Sequence, residues 1–211
     1  MTNIAFIGIG KVGSALADNL VKASHNVIIA ARDLQSDSFK SALALNPEFS
    51  AMPAAEALAK AEVVFLATPF PANAEALAGL NLAGKILVDC TNPVGPGLTH
   101  GLESRTSGAE EVQRLAPGAR VVKAFTIYGF ENFQSSSYPR YGQLKPAMLI
   151  AGDDPAAKQT VGKIAEQLGW RVVDVGPLAS ALHLEHMTLL WIKMARMQGK
   201  GAGFVWAMLE R

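Results

Sequence analysis

Short apolar runs alternate with segments of helical periodicity along nearly the whole chain. The apolar runs predict β-strands at residues 3–8, 26–31, 62–67, 85–90, 119–124, 147–151 and 171–175. The segments between and after them predict helices at residues 11–23, 36–45, 53–59, 71–78, 107–116, 155–168 and 180–197. Strands that alternate with helices are typical of an α/β fold, so we expect a doubly wound, mostly parallel sheet with a short C-terminal helical segment.

Two helix starts carry local signals of their own. Ser107 stands three residues before Glu110, which is the spacing of a capping box. Asp154 precedes Pro155, which predicts an Asp cap with a proline in the first helical turn.

The first predicted strand leads directly into a glycine-rich turn. Gly8, Gly10 and Gly13 form the pattern G-x-G-x-x-G, and the apolar run at 26–31 completes a strand–helix–strand unit. In a Rossmann-like fold this is a dinucleotide-binding fingerprint, in which the first glycine permits the turn, the second lets the backbone approach a pyrophosphate and the third lets helix and strand pack closely. The pyrophosphate would lie at the positive end of the helix that begins near Lys11. The alternative is a glycine-rich turn without a ligand.

The end of the second strand predicts which dinucleotide binds. NAD-binding folds usually carry a carboxylate there for the ribose 2′-hydroxyl. This chain has Ala31 followed by Arg32. The small side chain leaves room for a 2′-phosphate and a guanidinium can bind it through two hydrogen bonds, so we expect NADP(H) rather than NAD(H). The alternative is that Arg32 is an ordinary surface cation.

Composition excludes several classes of protein. Half of the 211 residues are hydrophobic and the net charge is +1, which argues against disorder and against a nucleic-acid partner. Cys90 is the single cysteine, so no internal disulfide can form, and its place after an apolar run favours a buried small residue over a nucleophile. No apolar run reaches the length of a membrane span, and the short run at 6–9 lacks the basic flank of a signal peptide, so we expect a cytoplasmic protein.

The predicted sheet is complete near residue 175, which suggests two parts. Residues 1–175 would form an NADP-binding Rossmann domain, and residues 176–211 a helical segment packed on the same domain or on a partner subunit. The helix in this second part is apolar around most of its circumference, so we expect it to be buried and the protein to be a homodimer.

The residues that follow the strands are the candidate site, because ligands of such sheets bind beyond the carboxyl ends of the strands. Thr68 and Pro69 are expected under the ribose and nicotinamide. Thr91 and Asn92 either orient the nicotinamide or bond the substrate, or only form a turn. Ala124 is a further candidate cofactor contact. Lys123, at the end of its strand, faces either solvent or ligand.

Two later segments are open to more than one interpretation. The segment at 126–146 holds all three tyrosines, which suit a planar substrate, although the same residues could simply anchor the loop to its own domain. His183 and His186 lie three residues apart beside Glu185, but no matching cluster supports a metal site and we predict none.

Taken together, these residues resemble the NADP oxidoreductase family that includes the F420-dependent NADP reductases. The resemblance runs nearly end to end. It is carried by the glycine turn, Ala31-Arg32, Gly152-Asp153-Asp154, Asp174-Val175-Gly176-Pro177-Leu178, the helix with Glu185 and the glycines at 199–203. The nucleotide domain of the membrane metalloreductases is similar too.

The resemblance implies hydride transfer between NADP(H) and a small-molecule acceptor, a deazaflavin lying on the nicotinamide. It further implies that Ile9, Gly10, Lys11 and Val12 hold the pyrophosphate, and that Ala31 and Arg32 hold the 2′-phosphate. No catalytic residue is assigned, since a planar ring needs no strong general acid. A flavin, ferric chelate or imine as acceptor, and a non-catalytic NADP(H) sensor, remain alternatives.

The role of Arg32 can be tested directly. Replacing Arg32 with Ala should weaken binding of NADPH much more than binding of NADH, because only NADPH carries the phosphate that the guanidinium would pair with. Calorimetric titration of both coenzymes measures the two affinities. An equal loss for both would contradict the assignment.

Overall fold

The computed structural model describes residues 1–31, 35, 40, 41, 43, 44 and 46–211. Arg32, and most of the helix expected at 36–45, therefore lie outside the described residues.

One eight-stranded sheet organises the fold, in the order β10-β9-β8-β5-β4-β1-β2-β3. Its strands are β1 (Asn3–Ile7), β2 (Asn26–Ala31), β3 (Ser50–Pro53), β4 (Val63–Leu66), β5 (Ile86–Asp89), β8 (Arg120–Lys123), β9 (Ala147–Gly152) and β10 (Arg171–Asp174), and β6 (Val94–Gly95) pairs with β7 (Thr99–His100) in a separate hairpin. The described helices are α1 (Lys11–Lys22), α2 (Ala54–Lys60), α3 (Asn73–Leu77), α4 (Gly108–Leu115), α5 (Phe130–Gln134), α6 (Pro155–Gln167) and α7 (Ala181–Ile192). None of the helices in the described ranges is both long and apolar enough to cross a membrane.

The mostly parallel, Rossmann-like α/β architecture is confirmed. All seven predicted strands are present, and the apolar strands β4 and β5 are buried along their whole length. β9 and β10 run opposite to the other six strands, because β8 pairs with β9 in the antiparallel sense. Strand β3 was not predicted, because this short edge strand has a half-exposed, Pro-ended sequence that carries no apolar run.

Both predicted helix caps are present. The Ser107 hydroxyl accepts from the Glu110 amide at 3.1 Å, and the Glu110 carboxylate accepts from the Ser107 amide at 2.8 Å. The Ser107 amide, and with it the hydroxyls of Ser107 and Thr106, donate to the Glu110 carboxylate and so lower its pKa. Asp154 accepts from the Ala157 amide at 2.7 Å and so caps α6.

The segment at 126–146 is anchored on its own domain by two of its aromatic residues. Tyr128 is buried, stacks on Trp170 with ring centroids 5.3 Å apart and donates to the Ala147 carbonyl at 2.7 Å. Phe133 is buried beside the same tryptophan. Tyr141, by contrast, is 67% exposed. The segment also contains α5, a five-residue helix that was not predicted from the sequence.

Helix α7 packs one face on the sheet domain of its own chain. Leu184, Glu185, Thr188 and Trp191 are buried along that face, whereas Leu190 is 50% exposed. The apolar character of the rest of the helix therefore leaves a partly exposed surface.

Two of the three fingerprint glycines are required by close packing. Gly8 has φ of +90°, and a Cβ there would lie 2.8 Å from the Ala67 carbonyl carbon and oxygen. A Cβ on Gly13 would lie 2.4 Å from the Gly8 carbonyl oxygen. Around Gly10, in contrast, a Cβ would meet no described atom within 4 Å.

This difference makes a prediction about stability. Gly13→Ala should lower the free energy of unfolding by about 1–3 kcal/mol, since the backbone of α1 must move away from β1 to admit the methyl group. Gly10→Ala is the matched control and should cost less than about 1 kcal/mol, the loss of a favourable N-cap residue. Urea unfolding measures both, and equal losses would contradict the packing account.

Candidate functional site

The candidate site lies at the carboxyl ends of β1, β4, β5 and β8, which are neighbours in the sheet. The register places Ile7 beside Leu66, Leu66 beside Asp89 and Asp89 beside Lys123. The turns that follow these strands therefore meet along one edge, as the sequence analysis predicted.

The N-terminus of α1 is suited to a phosphate group. Gly10 is its N-cap; the helix has no side-chain cap and no acidic residue in its first turn. Its first amides are thus left to an external acceptor, and the helix dipole favours an anion there. The open space around Gly10 leads into a groove of about 490 Å³, lined among others by Ile9, Lys11 and Phe130. Lys11 is exposed, with its ammonium group 5.1 Å from the centre of the Phe130 ring.

The predicted site residues are distributed unevenly over this edge. Gly10, Lys11 and Pro69 are exposed, and Gly8, Ile9, Val12, Thr68 and Asn92 are half-buried. Gly13 and Ala31 are buried, and Ala31 is the last residue of β2. Ala124 is fully buried with its amide donating to the Asp89 carbonyl, so it has no surface for direct contact. The placement of Arg32 is outside the described residues.

A buried ion cluster (Asp89, His100, Lys123 and Glu185) lies beneath these turns. Lys123 faces neither solvent nor an open site: its side chain is 0% exposed. Its ammonium group lies 2.9 Å from the Asp89 carboxylate, 2.9 Å from the Glu185 carboxylate and 2.5 Å from the Thr91 carbonyl oxygen. Burial by itself would lower the pKa of Lys123, but the Asp89 and Glu185 carboxylates outweigh it and raise the pKa, so the group is charged.

Glu185 connects α7 to the N-terminus of α4. Its carboxylate accepts from the Gly108 amide at 2.9 Å and from the Ala109 amide at 3.2 Å. Burial would raise the pKa of Glu185, yet Lys123 and these hydrogen bonds lower it overall. A Cβ on Gly108 would lie 3.1 Å from the carboxylate, which explains a small residue at this helix start.

His100 completes the buried ion cluster. Its Nε2 lies 2.8 Å from the Glu185 carboxylate, and its Nδ1 lies 3.3 Å from the amides of Leu102 and Ser104. Because amides only donate, Nδ1 accepts and the proton lies on Nε2, where it is donated to Glu185.

A hydroxyl–amide chain (Thr68, Asn73 and Thr91) links the buried ion cluster to the surface. Thr91 lies 2.7 Å from Asp89, Asn73 lies 3.0 Å from Thr91, and Thr68 lies 2.7 Å from Asn73, each measured between side-chain polar atoms. Asn73 and Thr91 are buried, whereas Thr68 is half-buried against the glycine turn.

A second polar group surrounds Asn92. Its Oδ1 lies 2.6 Å from the Thr126 hydroxyl and 3.0 Å from the Thr188 hydroxyl. Asn92 is therefore held by both the turn after β8 and helix α7.

Sequence reasoning missed Asp89, Asn73, His100 and Thr188 as members of this site. Their contacts join residues that are far apart in sequence and depend on strand register or helix docking. The only local signal was the Asp89-x-Thr91 spacing, in which the carboxylate accepts from the Thr91 amide at 2.9 Å.

Cys90 is buried, as predicted, directly after β5. Burial, with Asp89 nearby, raises the pKa of its thiol well above the usual value, which keeps the thiol protonated. His186 stacks on His100 with ring centroids 5.3 Å apart. In the part of the chain that the structure describes, no group of three or more metal-ligating side chains is arranged to hold an ion.

Comparison with known proteins identifies the family. The model of the family described as NADP oxidoreductase, coenzyme F420-dependent, matches residues 3–93. A proposed F420-dependent NADP reductase from Arthrobacter sp. FB24 is 30% identical and matches in structure with a TM-score of 0.84, over 100% of both chains. The chain belongs to the F420-dependent NADP oxidoreductase family. The members of this family and the structural neighbours are NADP-dependent oxidoreductases.

Other relatives are named for different reductase activities. The metalloreductase STEAP3 of Rattus norvegicus is 34% identical over 189 residues, which is 88% of this chain but 36% of the relative. The chain therefore spans about a third of the length of the metalloreductases it matches. A reductive aminase from Aspergillus terreus, in complex with NADPH and ethyl levulinate, is 20% identical with a TM-score of 0.66 over 94% of this chain and 63% of the aminase, and shares the fold.

The buried ion cluster predicts a pH-dependent stability. Glu185→Gln should lower the free energy of unfolding by about 3–5 kcal/mol at pH 7, because the buried Lys123 then lacks one of its two counter-charges. Since the pKa of Glu185 is lowered from its usual 4.5, its ionised form stabilises the fold above about pH 4.5, and that contribution is lost as the pH falls further. The difference in free energy of unfolding between wild type and variant should therefore become smaller as the pH approaches about 3.

Urea unfolding at both pH values measures this difference. Glu111→Gln is the matched control, because Glu111 pairs with Arg114 at the surface at 2.6 Å and should contribute less than about 1 kcal/mol. A Glu185 variant as stable as the control at pH 7 would contradict the account.

Proposed function

We propose that this NADP oxidoreductase transfers a hydride between NADPH and a planar acceptor, such as the deazaflavin F420 or a flavin. The observation that carries the proposal is the uncapped N-terminus of α1, with open space at Gly10. The description of the matching family names coenzyme F420. The Arthrobacter relative, which matches this chain over the full length of both, is also described as F420-dependent.

The proposed cofactor contacts follow from this placement. The backbone at Ile9, Gly10, Lys11 and Val12 binds the pyrophosphate, and Arg32 binds the adenosine 2′-phosphate in the room left by Ala31. Gly8 and Gly13 shape the turn, and Thr68, Pro69 and Asn92 lie toward the nicotinamide half. Ala124, being fully buried, backs these turns from below.

The two parts of the chain have separate roles in this proposal. Residues 1–175 hold the cofactor, and residues 176–211 supply α7, which covers the ends of β5 and β8 through Glu185 and Thr188. The homodimer and the cytoplasmic location stay predictions from the sequence.

A planar acceptor fits the chemistry of the site. The bound nicotinamide supplies the hydride itself, so the protein must bind, orient and exclude water. Asp89, Lys123 and Glu185 are at most 1% exposed and are bonded to one another, so they are not free to protonate a substrate. A ring that accepts a hydride without a strong protein acid suits this arrangement better than a carbonyl group.

The similarity to rat STEAP3 favours a second candidate, the direct reduction of ferric iron. The same cofactor site would serve, and only the acceptor would differ.

Steady-state oxidation of NADPH with F420, FMN, ferric citrate and a cyclic imine separates these candidates. We expect turnover with F420 or FMN to exceed the others by at least about tenfold, equivalent to about 1.4 kcal/mol in the barrier. Fastest turnover with ferric citrate would favour the metalloreductase activity, and fastest turnover with the imine would contradict a planar acceptor.

The control is Gly10→Val, which fills the space proposed for the pyrophosphate. It should lose NADPH binding and turnover while its circular dichroism spectrum stays that of wild type. Retained affinity would mean that the pyrophosphate binds elsewhere. Wild-type protein that binds NADPH but turns over no acceptor would instead indicate a redox sensor.

A further inference from the structure

In the hydroxyl–amide chain, the chemistry of the groups determines which atom donates and which accepts in each hydrogen bond. It starts at Asp89, whose carboxylate accepts from the charged Lys123 at 2.9 Å and is acceptor-only. The Thr91 hydroxyl lies 2.7 Å from the other carboxylate oxygen, so it must donate its proton to Asp89. The Thr91 oxygen then has only lone pairs left for its next neighbour.

The donor and acceptor at Thr91 in turn determine those at Asn73 and at Thr68, which lies nearest the surface. The Asn73 atom at 3.0 Å from the Thr91 oxygen must be the donor Nδ2, which turns Oδ1 toward Thr68. The Thr68 hydroxyl lies 2.7 Å from Oδ1 and therefore donates inward. Its own oxygen can then only accept from outside, because its single proton is already used.

Thr68 lies beside the glycine turn, where its hydroxyl can contact the proposed cofactor. Its methyl group would lie 2.8 Å from a Cβ on Gly8, so the side chain packs directly against the glycine turn. It is half-buried, whereas Asn73 and Thr91 behind it are 2% and 3% exposed. The cofactor can reach Thr68 but not the residues that orient it.

We propose that the buried Lys123–Asp89 pair, acting through Thr91 and Asn73, holds the Thr68 hydroxyl as a one-way hydrogen-bond acceptor for a donor group of the nicotinamide nucleoside. Thr68 is the residue that touches the cofactor, and Thr91 and Asn73 are positioning residues. The donor is either a ribose hydroxyl or the carboxamide NH2 group. The inference rests on the proposed placement of NADP(H).

The test is a double-mutant cycle on NADPH affinity, read by fluorescence titration. Thr68→Val removes the acceptor, and Thr91→Val keeps the shape of the side chain but breaks the chain behind Thr68. Each should weaken binding by about 3- to 10-fold, the effect of one net hydrogen bond. The double variant should be no weaker than the worse single variant, since both remove the same interaction.

Two further variants separate positioning from general damage. Thr91→Ser keeps the hydroxyl and should restore affinity to within about 2-fold of wild type. Thr160→Val makes the same chemical change on α6, away from the site, and should leave affinity unchanged. If Thr91→Val does not fold, Thr68→Val and the analogue below still decide the matter.

The cofactor analogue 3-acetylpyridine adenine dinucleotide phosphate, which has a methyl group in place of the carboxamide NH2, distinguishes the two donors. If the donor is the carboxamide, Thr68→Val should weaken binding of NADP⁺ but not of the analogue. If the donor is a ribose hydroxyl, Thr68→Val should weaken both equally. Either result supports a fixed acceptor at Thr68.

Wild-type affinity for NADP(H) from Thr68→Val, or additive losses in the double variant, would overturn the inference. Those results would leave the proposed function intact, provided that wild type binds NADPH and turns over an acceptor. Failure of wild type to bind NADPH would instead overturn the proposed placement of the cofactor.

Discussion

A single buried ammonium group determines how the carboxyl edge of the sheet is assembled. Removing a charge from water costs several kcal/mol unless nearby partners compensate. Lys123, 0% exposed, finds those partners in Asp89 on the neighbouring strand and Glu185 on α7. Glu185 in turn accepts from the first amides of α4 and from His100. Satisfying one charge thus fixes the positions of two strands, two helices and the β-hairpin relative to one another.

The exposed rim of the site, at the glycine turn, has backbone donors that no described side chain caps, whereas the polar groups at its buried base are paired with one another. At the glycine turn, the backbone donors of α1 lack a side-chain cap and Gly10 leaves open space. Below it, the polar atoms of Asp89, Asn73 and Thr91 are bonded to one another. Because the base is already satisfied, the free hydrogen-bonding capacity lies at the rim, where a dinucleotide would bind. This division suits a hydride-transfer enzyme, whose protein part positions rings rather than exchanging protons.

The sequence was sufficient for features that depend on neighbouring residues. The apolar runs located the strands, the capping patterns at Ser107 and Asp154 located two helix starts, and the glycine spacing located the turn. It could not reveal the reversed direction of β9, because a period of two is the same in parallel and antiparallel strands. Nor could it pair Lys123 with Asp89 and Glu185, since those contacts need the strand register and the docking of α7. Helix α5 is too short to show a helical period.

A crystal structure of the protein soaked with NADP⁺ tests the central claim most directly. The account predicts the pyrophosphate within hydrogen-bond distance of the amides at residues 9–12, the 2′-phosphate beside Arg32, and the Thr68 oxygen facing a donor of the nicotinamide half. A pyrophosphate bound away from the N-terminus of α1 would contradict it.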